Sequence, residues 1–211
     1  DEQPPAPAPT PAVTPAPAPE KPFAVEDKSE PEWVPPAWKK VAIGQTVAFS
    51  TAATRAWEAF WAGDYHVAAD EFSRHLGRHA ADLPAHWAAA IALYYTGSFD
   101  ESANRLRTLE DTLRRRHDAK FAGAYESLHF LAFMQAVAYA AGGRRDSARA
   151  DAQRALAEDL AFYQARMLLG DLALSDGDTA VAAREWSDAR DVFGADPVGH
   201  QRYARFLLRT G

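Results

Sequence analysis

The chain of 211 residues contains no cysteine. That one absence excludes disulfides, thiolate metal sites and cysteine nucleophiles together, while leaving the compartment open. No apolar run approaches the roughly 20 residues needed to cross a bilayer, so no transmembrane span is expected in this chain. A clustered basic face is missing as well. The net charge of -6 is spread thinly, whereas a nucleic-acid partner demands concentrated Lys and Arg to neutralise its phosphates; nucleic acid is not an expected partner. The longest basic run, Arg114-Arg115-Arg116-His117, reads as the end of a helix, where cations complement the helix dipole. Patterns of catalysis are also lacking: there is no nucleophile beside a base, no paired carboxylates and no phosphate loop. The chain therefore reads as a non-enzyme without cofactor. His75, His79 and His86 are the one constellation to weigh, since an i, i+4 pair plus a third imidazole suits zinc. No carboxylate motif accompanies them, and no metal is expected.

What the chain does contain divides at about residue 40. Residues 1–40 form a Pro/Ala-rich extended tail, whose first part favours polyproline II and holds too little apolar surface to fold alone. Within it Trp33 and Trp38 bracket Pro35-Pro36 and supply large apolar anchors for docking, either to a partner or back onto the folded part. The sequence starts at Asp1 rather than methionine, which fits removal of a signal or anchor and suggests an extracytoplasmic, periplasmic location.

Residues 41–211 read as helices punctuated by glycine. A small residue followed seven positions later by glycine occurs at Ala56/Gly63, Ala90/Gly97, Ala136/Gly143, Gly170/Gly177 and Ala204/Gly211. The glycines lie 34, 46, 34 and 34 residues apart, a single period with one insertion of twelve. Between them apolar residues recur at helical spacing, as in Ala53, Ala56, Trp57 and Phe60. Asp64 and Asp178 stand where a helix needs an N-cap, and Pro84 and Pro197 where one begins. The insertion, around 112–125, predicts two lengthened helices rather than a long loop. Two helices approach closely only over a small side chain, so the small residue of each unit marks the crossing of a first helix with its second.

This pattern resembles the tetratricopeptide repeat (TPR) family over about residues 49–211. The features that carry the resemblance are the 34-residue period, the small residue seven before the turn glycine, an aromatic two after it (Tyr65, Phe99) and an alanine five after it (Ala68, Ala148, Ala182). Arg145 and Thr179 depart from the aromatic position, and most units lack a closing proline. The resemblance implies an all-α fold: a right-handed superhelix of about four helical hairpins and a terminal capping helix.

It further implies that first helices line a concave groove. Their side chains would be Trp57, Phe60 and Trp61 in the first unit, Trp87, Ile91, Tyr94 and Tyr95 in the second, and Phe130 and Phe133 in the third, with Asp171, Arg205 and Arg209 making the far end polar. A clamp for a peptide carboxylate needs Lys, Arg and Asn at such places, which the first three units lack. Two roles are consistent with these features. One is a scaffold that takes an apolar or helical segment of a partner protein in an aromatic groove, since aromatics are enriched at interface hot spots. The other is an accessory subunit of a larger, membrane-bound assembly, attached through its tail. For each aromatic the alternative is burial in the core.

Overall fold

The computed structural model describes residues 53–116, 128–194 and 196–210. The chain divides into two units, Asp1–Pro35 and Pro36–Gly211, and every described residue lies in the second. The tail with Trp33 and Trp38, and the inserted residues 117–127, lie outside the described residues.

Among the described residues nine α-helices follow one another without a strand: α1 (Thr54–Trp61), α2 (Tyr65–Leu76), α3 (Leu83–Tyr95), α4 (Phe99–Arg116), α5 (Leu128–Ala141), α6 (Arg145–Glu158), α7 (Tyr163–Ser175), α8 (Thr179–Phe193) and α9 (Pro197–Thr210). Each packs on the next, giving hairpins α1/α2, α3/α4, α5/α6 and α7/α8, with α9 against α8. At 18 residues α4 is longer than the second helices α2, α6 and α8, at 12, 14 and 15. It carries the first part of the insertion as helix through Arg116, the last residue described before 128.

The turn inside each hairpin is one device used four times. Gly63, Gly97, Gly143 and Gly177 have φ of 78°, 82°, 75° and 82°, a region that costs other residues strain. In the first, Gly63 N–H donates to Phe60 C=O (3.1 Å) and Asp64 N–H reaches back to Ala59 C=O (2.9 Å), the paired bonds of a Schellman motif. Gly97 and Ser98, Gly143 and Arg144, and Gly177 and Asp178 repeat both bonds. In the first and fourth hairpins the next residue doubles as the cap of the second helix: Asp64 accepts from Val67 N–H (3.2 Å) and Asp178 from Val181 N–H (3.0 Å).

The crossings fall on the small residues. Ala56, Ala90 and Ala136 are 2%, 1% and 0% exposed. Over Ala90 the approach is close enough for Ser102 Oγ of α4 to donate to the Ala90 carbonyl at 2.7 Å. A Cβ on Gly170 would stand 2.5 Å from Cδ1 of Trp186 on α8, so only glycine admits that ring.

Between hairpins the α2–α3 turn is held by imidazoles. The buried His75 bonds through Nε2 to Asp82 Oδ2 (2.7 Å), while Asp82 Oδ1 caps α3 through Ala85 N–H (3.1 Å) and His79 stacks on His75 at 4.6 Å. His86 faces the Ala80 carbonyl through Nε2 (3.1 Å), and its buried Nδ1 has no hydrogen-bond partner. Burial lowers the pKa of His86, Arg105 lowers it further, and the Ala80 bond and Asp82 oppose them. Because the folded state binds this proton less readily than the unfolded one, the stabilisation is complete above about pH 6.5 and fades as pH falls below it. The expected outcome is a urea-unfolding free energy that drops from pH 7.5 to 5.5, with a smaller drop in His86→Gln. Equal drops would remove His86 as the cause.

Candidate functional site

The nine aromatic and aliphatic side chains assigned to a groove fall into two groups. Trp57, Phe60, Trp87, Ile91, Phe130 and Phe133 are interior, at 7%, 7%, 4%, 4%, 8% and 1% exposure. For these six, burial in the core is the alternative that their sequence left open. Trp61 is 45% exposed, and Tyr94 and Tyr95 are half-buried.

The surface group is joined by ring contacts into a ladder along the turn end of the first two hairpins. Trp61, the last residue of α1, stacks on Trp57 (6.0 Å) and meets the edge of Phe60 (5.3 Å). Phe60 touches Tyr65 at the start of α2 (5.8 Å), and Tyr65 stacks face to face on Tyr95 of α3 (4.5 Å, 15°). Tyr95 meets Tyr94 (5.8 Å), which meets Phe99 of α4 (5.3 Å). Burial pushes the Tyr94 phenol pKa up, and Tyr95 adds to the shift, so Tyr94 stays neutral and offers a hydroxyl beside an apolar face. Tyr65 and Phe99 were visible as the aromatics two after the turn glycine; their function as rungs came only with the structure.

Of Asp171, Arg205 and Arg209, the residues expected to make the far end polar, the acid is paired. Asp171 accepts from Arg202 Nη2 (3.1 Å), and Met167 beside it is fully buried. Burial raises the Asp171 carboxyl pKa, against the pull of Arg202 and Arg209. Among the described residues no group of three or more His, Asp or Glu is placed to hold a metal ion: His75, His79 and His86 serve the α2–α3 turn instead. No helix among those residues is long and apolar enough to cross a membrane.

Charged residues form one further assembly that the sequence pattern did not reveal. Glu110 and Gln135, both 0% exposed, sit between α4, α5 and α6. Arg154 Nη1 donates to both Glu110 oxygens at 2.8 Å, Arg114 donates twice to Oε1 (3.1 and 3.0 Å), and Gln135 Nε2 donates to Oε2 (2.7 Å). Arg107 and Arg154 each donate to Gln135 Oε1 (3.2 Å) and also pair with Asp151. Every lone pair of consequence is used, and the assembly reads as a joint between hairpins.

No family model and no curated protein matches the chain. Among solved structures it is similar to TTC0263, a thermophilic TPR protein of Thermus thermophilus, at 20% identity and a TM-score of 0.38, over 74% of this chain and 97% of that one. The architecture is TPR-like. Four consecutive hairpins make it so, each with its turn glycine at positive φ and a small residue at its crossing. Repeat arrays present extended surfaces, and the aromatic ladder with the 45% exposed Trp61 lies on one of them.

Proposed function

We propose that this protein is an interaction scaffold that binds an apolar or helical segment of a partner protein on the aromatic ladder, centred on Trp61, Tyr65, Tyr94 and Tyr95. The observation that carries the reading is Trp61. A tryptophan left 45% exposed while stacked on a buried tryptophan is rigid, so it can bury its free face against a partner at little cost in rotamer entropy. Tyrosines beside it supply further area with a polar tip. Binding rather than catalysis is the role proposed.

The test is crosslinking in cells followed by affinity measurement on the partner recovered. Trp61→Ser combined with Tyr95→Ser is expected to weaken binding by about 2 kcal/mol or more, the hot-spot scale, with an unchanged circular dichroism spectrum. Deletion of residues 1–40 is expected to leave that affinity intact. The opposite pattern, affinity lost with the tail and kept in the double variant, would favour attachment through Trp33 and Trp38 as an accessory subunit.

A further inference from the structure

We propose that the partner segment carries an arginine, whose guanidinium lies on the outer face of Trp61 and pairs with Glu58 and Asp64. The proposal rests on the scaffold reading above and names the chemistry that its central residue selects. Its warrant is an arrangement that this chain already uses four times. Arg144 lies 4.7 Å over Tyr139 and donates to Asp100 (3.0 Å), and Arg202 lies 5.9 Å over Trp186 and donates to Asp171 (3.1 Å). Arg190 over Tyr203 pairs with Asp191, and Arg107 over Tyr139 pairs with Asp151. Among the described residues every guanidinium over an aromatic ring is thus also held by a carboxylate.

Trp61 has the ring and the acids of such a set. It stacks on Trp57 and leaves 45% of its surface in solvent. Glu58 precedes it by three residues, which puts both on one side of α1. Glu58 is exposed and forms no ion pair among the described residues. Asp64, also exposed, stands in the turn three residues after Trp61 and uses Oδ1 for the cap of α2.

Charge selects the occupant. Residues 56–73 hold Glu58, Asp64, Asp70 and Glu71 and neither lysine nor arginine. The flanking cations are engaged, since Arg55 and Arg74 both pair with Glu71. The surface around Trp61 is therefore apolar and negative, the complement of a cation set in an apolar segment. Arginine fits it better than lysine. A flat guanidinium stacks on an indole and donates to carboxylates in its own plane at the same time, whereas an ammonium is a compact, strongly hydrated charge.

The probe is a library of random dodecapeptides displayed on phage and selected on the full chain. Enriched peptides are expected to carry arginine beside apolar residues. The best of them is synthesised with a fluorophore, and again with citrulline, which keeps the shape of arginine and loses its charge. In fluorescence anisotropy Glu58→Gln and the citrulline exchange are each expected to weaken binding about fivefold, and together little more than either alone, as for groups in contact. Because Glu58 is exposed, Glu58→Gln is expected to keep the thermal midpoint of the parent, so the loss is not one of folding. Enriched peptides without arginine, or an affinity that both exchanges leave unchanged, overturn the inference; if Trp61→Leu still abolishes their binding, the scaffold reading stands. Peptides that bind Trp61→Leu as well as the parent, or no enrichment at all, overturn both. Two other occupants are tested alongside. Self-association in sedimentation velocity that Glu58→Gln abolishes would make the occupant a second copy, and displacement of the selected peptide by a synthetic peptide of residues 23–40 would make it the chain's own tail. Either result overturns the inference.

Discussion

Trp186→Ala is expected to cost about 3–5 kcal/mol, the scale for removing a buried large aromatic, and to release α9 before anything else unfolds. The ring is 2% exposed and packs with Met167, Ala173, Ala182, Ala189 and Phe206, with Tyr163 and Tyr203 at the margin. It faces Gly170 on one helix and stacks on Phe206 of another. Three helices therefore meet on one side chain, and a cavity there cannot be filled by shifting a single neighbour. In a repeat array each unit is stabilised by its own packing and its nearest neighbours, so the loss is local. Hydrogen exchange is expected to show α8 and α9 losing protection while α3 and α4 keep theirs, with the free-energy change read from urea unfolding. Full protection of α9 in the variant would show that the polar contacts, Tyr163 to Asp196 and Arg202 to Asp171, suffice to hold it.

Gly170 tests the same contact from the other side. Glycine in a helix costs about 1 kcal/mol relative to alanine, so Gly170→Ala gains on propensity alone. Against that, the new Cβ lands 2.5 Å from Cδ1 and 2.8 Å from Nε1 of a ring with no room to move. Overpacking costs about 1–3 kcal/mol, so the net change is destabilising in the parent. In the Trp186→Ala background the obstacle is gone, and the same substitution is expected to stabilise. That reversal of sign is the signature of direct contact.

The parts of this fold that the sequence made legible are those decided within one turn of chain. A glycine needed at positive φ has few substitutes, which is why Gly63, Gly97, Gly143 and Gly177 announce the hairpins and why Asp64 and Asp178 announce their caps. The 34-residue period, with its one insertion of twelve, then places the crossings at Ala56, Ala90, Ala136 and Gly170 without reference to any distant residue.

The candidate site was less legible because exposure is a property of layers. First helices here are covered on more than one side. α3 buries Leu83 and every residue from Ala85 to Leu93, and α5 every residue from Phe130 to Tyr139. A helix that is apolar all round is a buried helix, so the runs around Trp87, Ile91, Phe130 and Phe133 already carried the sign of an interior position. Trp61 differs because it is the last residue of α1, beside the turn, where a side chain can lean out. Glu110 could also have been found. It lies in line with Ala103, Leu106 and Leu109 on the buried stripe of α4, and an acid on such a stripe requires partners. What no local pattern supplies is the identity of those partners, since Gln135 and Arg154 come from helices beyond the insertion.

Glu110→Ala is accordingly expected to destabilise by about 3 kcal/mol, the lower end of the range for breaking a buried ion pair. The lower end applies because the side chains of Arg154 and Arg114 are 35% and 39% exposed and can rehydrate when their carboxylate is lost. Gln135, at 0% exposure, has no such recourse. Its Nε2 keeps only the longer bond to Leu131 C=O (3.2 Å), and its Oε1 depends on two arginines that the carboxylate helped to position. The cost should therefore fall largely on that amide. Glu110→Met with Gln135→Met is expected to recover most of the loss, because two apolar groups of similar volume leave no buried polar atom behind. The joint also connects α4 of the second hairpin with α5 and α6 of the third, and interface terms of this kind make a repeat array unfold as one. In Glu110→Ala the urea transition is expected to broaden or split, with separate midpoints for probes on either side of the joint. A single transition of unchanged slope would mean that apolar contacts such as Ala103 with Ala138 and Tyr139 carry the coupling, and that the charges only decorate it.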